Sequence, residues 1–119
     1  MIPSSPATRV FLALGATDLR KSFEGLACLV KHRFQEDPLS GHLFVFVNQR
    51  RNRLKLLYWD GSGTWVCAKR LEAGRFCWPS PQAPPEKGAL RILSEELTLL
   101  LSGIDLEKTR SRAWWRKAA

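Results

Sequence analysis

The stretch from His42 to Trp78 reads HLFVFVNQRRNRLKLLYWDGSGTWVCAKRLEAGRFCW, and its apolar runs and polar breaks govern the fold. Leu43–Val47 is apolar at every position, which predicts a central strand covered on both faces. The amides and arginines at 48–53 and the Asp-Gly-Ser-Gly turn at 60–63 separate this run from the next two. Runs divided in this way predict an antiparallel meander of strands.

The later runs of this stretch also have strand character. Side chains alternate between two faces along the second run, with Leu54, Leu56 and Tyr58 on one side and Lys55, Leu57 and Trp59 on the other. Trp65–Leu71 is predicted to be the third strand of the meander, and Phe76–Trp78 a further short strand that Pro79 ends.

Helical patterns flank the meander. A strand is predicted at Arg9–Leu14, and a helix follows Thr17-Asp18, either of which can cap it, and ends before Pro38. One face of that helix carries Leu19, Phe23, Leu26, Ala27, Val30 and Phe34, and should lie on the sheet. Residues 89–93 are ambiguous. Ser94 caps a short helix with Leu97, Leu100 and Leu101 facing inward. The expected fold is therefore α+β: an antiparallel β-meander sheet, one main helix on a face and a short C-terminal helix.

Composition limits the classes of function. The 119 residues suit one domain, placed at residues 1–106, followed by a basic, tryptophan-containing tail at 107–119. Lys and Arg number 19 against 11 Asp and Glu, a formal charge of +8 that suits a polyanionic partner. Three cysteines without a CxxC pattern indicate a reducing compartment. No signal peptide or membrane span is recognisable, so a cytoplasmic protein is expected.

The basic loop of the first hairpin is the leading candidate for a nucleic-acid contact. Arg50, Arg51 and Arg53 lie on this loop, and Lys55 follows on the strand. A two-stranded ribbon fits the major groove of DNA, where arginines reach phosphates or guanine edges. The alternative is a solvated hairpin whose charge prevents edge-to-edge aggregation.

Two further basic regions extend this candidate surface. Lys69, Arg70 and Arg75 alternate with aromatic residues, which suits base stacking and phosphate neutralisation. The alternative is that Trp59, Trp65, Phe76 and Trp78 fill a core and the cations extend past it to solvent. In the tail, a DNA-binding arm or a docking segment is expected from Arg110, Arg112, Trp114, Trp115, Arg116 and Lys117.

Catalytic and metal chemistry have little support. The chain has no Gly-rich phosphate loop, HExxH or GxSxG, so no catalytic residue and no cofactor is expected. Cys28 and His32 share a helix face and could join Cys67 and Cys77 in a zinc site, but no ligand spacing supports this. A metal-dependent nuclease would need Asp18, Asp60 and Glu72, each of which has a simpler role in a cap, a turn or an ion pair.

Several segments resemble the TnpB accessory proteins encoded by the second open reading frame of the IS66 family of bacterial insertion sequences. They are TDLRKSFEGL at 17–26, DPLSGHLFVF at 37–46, WDGSG at 59–63 and KRLEAGRFCWP at 69–79. The resemblance runs from about Arg9 to Asp105. Leu19, Ser22 and Glu24 stand where the family more often has Met, Gly and Asp, and Cys77 replaces a residue that is usually apolar.

The resemblance implies a protein that assists transposition beside a separate transposase, without catalysing strand transfer. The leading hypothesis is thus a non-enzymatic accessory protein that binds DNA, at transposon ends or non-specifically, through its basic hairpin and sheet face. The main alternative is an interaction module that bridges or regulates the transposase, with homo-oligomerisation left open. A metal-dependent nuclease is the third alternative.

Overall fold

The computed structural model describes residues 8–81 and 88–103. The elements in chain order are β1 (Val10–Ala13), α1 (Phe23–His32), β2 (Leu43–Val47), β3 (Arg53–Trp59), β4 (Thr64–Arg70), β5 (Ala89–Ile92) and α2 (Ser94–Leu101). The strands form one sheet in the order β4-β3-β2-β1-β5. Neither helix of the described ranges is long and apolar enough to cross a membrane.

The sheet is mixed, so the prediction of a purely antiparallel meander was wrong. β2, β3 and β4 do form an antiparallel meander, but β1 runs parallel to β2, with Val10 in register with Leu43. The connection between β1 and β2 contains α1, and a crossover through a helix brings the chain back in its starting direction. β5 adds antiparallel to the other side of β1, with Ile92 in register with Val10.

Hydrophobic clusters cover both faces of the sheet, as the unbroken apolar run of β2 predicted. Phe44 and Phe46 of β2 share one cluster with Leu26 and Val30 of α1 and with Phe34. The alternate residues of β2 share the other cluster with Phe76 and Trp78 and with Leu97 and Leu100 of α2. Phe76–Trp78 therefore helps to cover a face of the sheet, and it is not the strand that was predicted.

Helix α1 is shorter than the apolar stripe predicted. It begins at Phe23 because the Asp18 carboxylate accepts hydrogen bonds from Arg20 and does not cap the helix. It ends at His32, and Gln35 adopts a φ of 55°, which is incompatible with a continuing helix. Phe23 is 50% exposed, so its assignment to the core was wrong, whereas Leu26, Val30 and Phe34 are buried.

Helix α2 confirms the predicted position but not the predicted cap. Ser94 is the first helical residue, and the Leu93 amide before it donates a 2.9 Å hydrogen bond to Glu96 Oε1. Glu96 is 1% exposed, so its carboxylate closes the first turn from within the core. Leu97 and Leu100 are buried as expected, and Leu101 is half-buried.

Candidate nucleic-acid interface

The Asn48 side chain fixes the conformation of the basic hairpin loop. Its Oδ1 accepts 3.1 Å hydrogen bonds from the amides of Asn52 and Arg53, and its Nδ2 donates to Asn52 Oδ1 over 2.8 Å. Arg51 is held in a left-handed conformation with a φ of 58°. Arg50 and Arg53 are exposed, and Arg51 is half-buried. The loop thus presents its arginines from a hydrogen-bonded frame.

A second basic turn, residues 71–76, is tied to this loop. The Leu71 amide donates to the Asn52 carbonyl over 2.8 Å, and the Phe76 amide donates to the Arg51 carbonyl over 2.6 Å. Phe76 is 1% exposed and anchors the turn in the core. Arg75, which precedes it, is exposed beside the hairpin loop. Two segments that are separate in sequence therefore bring their cations to one end of the sheet.

Arg53 and Arg70 carry that charge onto the sheet itself. They are in register on neighbouring antiparallel strands, so both side chains are on the same face. With Lys55, Lys69 and Leu19 they line a cleft of about 360 Å³. Arg70 also makes an exposed 3.8 Å ion pair with Glu72, an interaction that contributes little at a surface.

The two lysines of the predicted set have structural partners. Lys55 Nζ donates to the Lys21 carbonyl over 3.0 Å, which ties β3 to the segment before α1. Lys69 Nζ donates to the Leu101 carbonyl over 2.8 Å, where a cation also favours the C-terminal end of the α2 dipole. The alternation of β4 places Lys69 on the opposite face of the sheet from Arg70. The arginines are therefore the more available cations.

The segment before α1 adds two cations that the sequence reasoning did not assign to the site. Arg20 chelates Asp18 through Nε and Nη2, and this hydrogen bonding lowers the pKa of Asp18 to about 2. The Arg20 side chain is 91% exposed, and Lys21 is also exposed. Because Lys55 binds the Lys21 carbonyl, this segment adjoins β3. Only the fold brings residues 20–21 close to β3, so no local sequence signal could have identified them.

A larger cleft lies between this segment and the hairpin loop. It has a volume of about 740 Å³ and is lined by Thr17, Asp18, Gln49, Arg50 and their neighbours. The Thr17 amide donates to the Val47 carbonyl over 2.8 Å, while its buried Oγ1 has no hydrogen-bond partner among the described atoms. We call the surface formed by Arg20, Lys21, Arg50, Arg51, Arg53, Arg70 and Arg75 the basic end.

The aromatic residues divide between core and surface. Trp78 is 5% exposed and its Nε1 donates to the Ala13 carbonyl over 2.8 Å, which confirms the core alternative for this residue. Trp65 is 52% exposed, so the same alternative is wrong there. Its indole stacks on Tyr58 and donates a 2.7 Å hydrogen bond to Asp60 Oδ2. Trp65 is at the far end of β4 from the basic end.

The remaining predicted roles can be placed as follows. Asp60 is the expected turn residue: its Oδ1 accepts from the Ser62 and Gly63 amides. In residues 8–81 and 88–103, no three His, Cys, Asp or Glu side chains are grouped to hold a metal ion. Cys28, Cys67 and Cys77 are free thiols. The tail residues Arg110, Arg112, Trp114, Trp115, Arg116 and Lys117 lie outside the described residues.

Comparison with known proteins identifies the family. The family model of the IS66 Orf2-like proteins, TnpB_IS66, matches residues 8–111. The chain belongs to the IS66 Orf2-like family. This confirms the resemblance found in the sequence and associates the chain with insertion sequences.

Two relatives from Sinorhizobium fredii (strain NBRC 101917 / NGR234) illustrate the similarity. "Uncharacterized protein y4hO" is 44% identical over 105 residues, which cover 88% of each chain. "Uncharacterized protein y4jC" is 38% identical over 112 residues, which cover 94% of this chain and 92% of the relative. No solved structure matches this IS66 Orf2-like chain.

Proposed function

We propose that this IS66 Orf2-like protein is a non-enzymatic accessory factor for transposition that binds the DNA backbone with its basic end. The observation that carries the proposal is the in-register pair of Arg53 and Arg70 beside the basic hairpin loop. Two like charges held opposite each other destabilise a sheet, and a phosphate lying between them would offset that repulsion.

The rigidity of the surroundings supports the same function. The Asn48 hydrogen bonds and the contacts of residues 71 and 76 hold the hairpin loop and the neighbouring turn together before any ligand arrives. Preorganised groups lose less conformational freedom on binding, so more of the electrostatic attraction contributes to affinity. The protein is expected to bind phosphates mainly, which gives affinity with little sequence preference.

The test compares two variants of equal net charge. Arg53→Gln with Arg70→Gln removes two cations from the basic end, whereas Lys31→Gln with Arg91→Gln removes two exposed cations from outside it. We expect the first variant to bind duplex DNA more weakly. Its slope of log affinity against log salt should fall by roughly 0.9 for each phosphate that the protein no longer neutralises. The control variant should keep a slope close to that of the parent protein.

Two results would contradict the proposal. Equal slopes for the two double variants would mean that DNA responds only to total charge and not to this surface. Nicking of supercoiled plasmid by the protein with Mg²⁺ or Mn²⁺ would contradict the non-enzymatic role. Transposase capture that persists at high salt, together with no DNA affinity, would favour the interaction module instead.

A further inference from the structure

The outer edge of β4 has a defined set of unused backbone groups. β4 is at one end of the strand order, and no strand of residues 8–81 and 88–103 pairs with its outer side. The Leu71 amide donates to Asn52, and the Gly63 carbonyl accepts from Asp60, in the same register as the Arg53–Arg70 pair. Odd-numbered residues of this strand therefore bond to β3, and the even-numbered ones direct their N–H and C=O groups outward.

This edge lacks the features that usually prevent strand pairing. Protected edges carry proline, a central charge or a bulge. The middle of β4 is Trp65-Val66-Cys67-Ala68, without charge or proline. Its register with β3 is continuous from Arg70 to Thr64, so the strand has no bulge.

The sequence of β4 is complementary to itself in one antiparallel register. A two-fold axis at Cys67, the midpoint of Thr64–Arg70, aligns all seven residues with those of a second copy. It pairs Thr64 with Arg70 and Val66 with Ala68 through the outward backbone groups. On the other face it places Trp65 opposite Lys69, where an indole and a cation attract each other. No two like charges face each other in this register.

We propose that β4 pairs with β4 of a second copy of this chain, antiparallel and centred on Cys67, so that the two sheets become one. Trp65 is the anchor, since stacking on Tyr58 and the bond to Asp60 fix its indole before association. Fixed aromatic side chains dominate the energetics of many interfaces. Lys69 lies against it with its alkyl stem while Nζ remains on the Leu101 carbonyl.

The pairing also determines where the two basic ends lie. Arg70 is at opposite ends of the two antiparallel β4 strands, so the basic ends of the dimer point in opposite directions. Such a dimer would hold two DNA segments. This consequence rests on the proposed function, whereas the dimer itself does not, and the experiments below contain no DNA.

Cys67 reports the register directly. In a pair centred on Cys67, the two Cys67 residues form a non-hydrogen-bonded pair with Cα atoms about 4.5 Å apart. That distance is within the range of roughly 4.4–6.8 Å found for disulfides. In full-length protein with Cys28→Ser and Cys77→Ser, diamide, which takes up the two thiol hydrogens, is expected to give a covalent dimer. The matched control keeps only Cys28, which is exposed on α1 and should remain monomeric.

A second pair of variants tests the backbone hydrogen bonds. Ala68→Pro removes an outward N–H without removing a bond to β3, while Ala68→Ser keeps that N–H. By sedimentation velocity at high salt, the parent and Ala68→Ser should show twice the 13.5 kDa monomer mass. Ala68→Pro should be monomeric, with circular dichroism showing that it is folded.

Several outcomes would overturn the dimer. They are a monomeric parent at the highest soluble concentration, crosslinking through Cys28 as efficient as through Cys67, and a folded Ala68→Pro variant that still dimerises. A parent that dimerises only after residues 104–119 are deleted would assign the edge to the tail, and would also overturn the proposal.

Discussion

Arg53 of β3 and Arg70 of β4 are cross-strand neighbours, with their Cα atoms in register and both guanidinium groups on the same face of the sheet. Like charges in such a pair repel, and the exposed ion pair of Arg70 with Glu72 does little to offset this repulsion. The pair therefore costs the folded state free energy, which is the expected signature of residues kept for binding.

Arg53→Gln is expected to raise the free energy of unfolding by roughly 0.2–1 kcal/mol at low salt while it weakens DNA binding. Urea unfolding and DNA titration measure the two effects. The gain in stability should shrink at high salt because screening already reduces the repulsion. Arg53→Lys keeps the charge and is the control. A loss of stability in Arg53→Gln at low salt would show that the pair is not repulsive.

Asn48→Ala is expected to lower the free energy of unfolding by roughly 1–3 kcal/mol, because the Asn52 and Arg53 amides lose their common acceptor. DNA affinity should fall as well, since the arginines of the loop lose their fixed positions. Gln49→Ala, at an exposed neighbour, is the matched control and should change stability by less than about 0.5 kcal/mol. Unchanged stability in Asn48→Ala would mean that the loop does not depend on this side chain.

Acid should destabilise the protein partly through Asp60. Hydrogen bonds from the Ser62 amide, the Trp65 indole and the Gly63 amide lower the pKa of Asp60 to about 2, from an ordinary value of 3.8. A carboxylate with a lowered pKa stabilises the fold above its unfolded value, and this contribution is lost as the pH falls from about 4 towards 2. Urea unfolding and tryptophan fluorescence over this range measure the loss.

The Asp60→Asn variant should show a shallower pH dependence of stability from about pH 4 down to about pH 2. Asp18, whose pKa the Arg20 side chain also lowers to about 2, titrates in the same window. Asp18→Asn is therefore the paired control, and the double variant should be the least pH-dependent of the three. An Asp60→Asn profile identical to that of the parent would contradict the assigned cause.

Trp78→Phe is expected to lower the free energy of unfolding by roughly 1–3 kcal/mol, since the buried Ala13 carbonyl loses its indole donor. Trp65→Phe, at a half-exposed indole, should cost less in the same urea titration. A larger loss for Trp65→Phe than for Trp78→Phe would reverse the division of tryptophans between core and surface.

Much of the sheet could be predicted from local patterns. Alternation along Arg53–Trp59 identified the two faces of β3, and the unbroken apolar run identified β2 as central, because period-two burial is a local property. The direction of β1 could not be predicted, since it depends on the path of the chain through α1. Phe23 fitted the apolar stripe of the helix, yet the helix begins there and leaves the side chain exposed.

The candidate site shows the same division. The loop arginines were identifiable because loop residues between two strands must reach solvent. The separation of Lys55 and Lys69 from the arginines was not, because it depends on the carbonyls of Lys21 and Leu101, each more than 30 residues away. The basic turn at 71–76 and the cations at 20–21 join the site only through long-range hydrogen bonds.

Family membership, the net charge of +8 and the three strands of the meander could all be read from the chain before folding, because composition and short-range periodicity carry that information. The parallel pairing of β1 with β2, the opposition of Arg53 and Arg70, and the open edge of β4 emerged with the three-dimensional fold. Register and edge position follow from which distant segments bury their apolar faces together, and no local stretch of the chain specifies that choice.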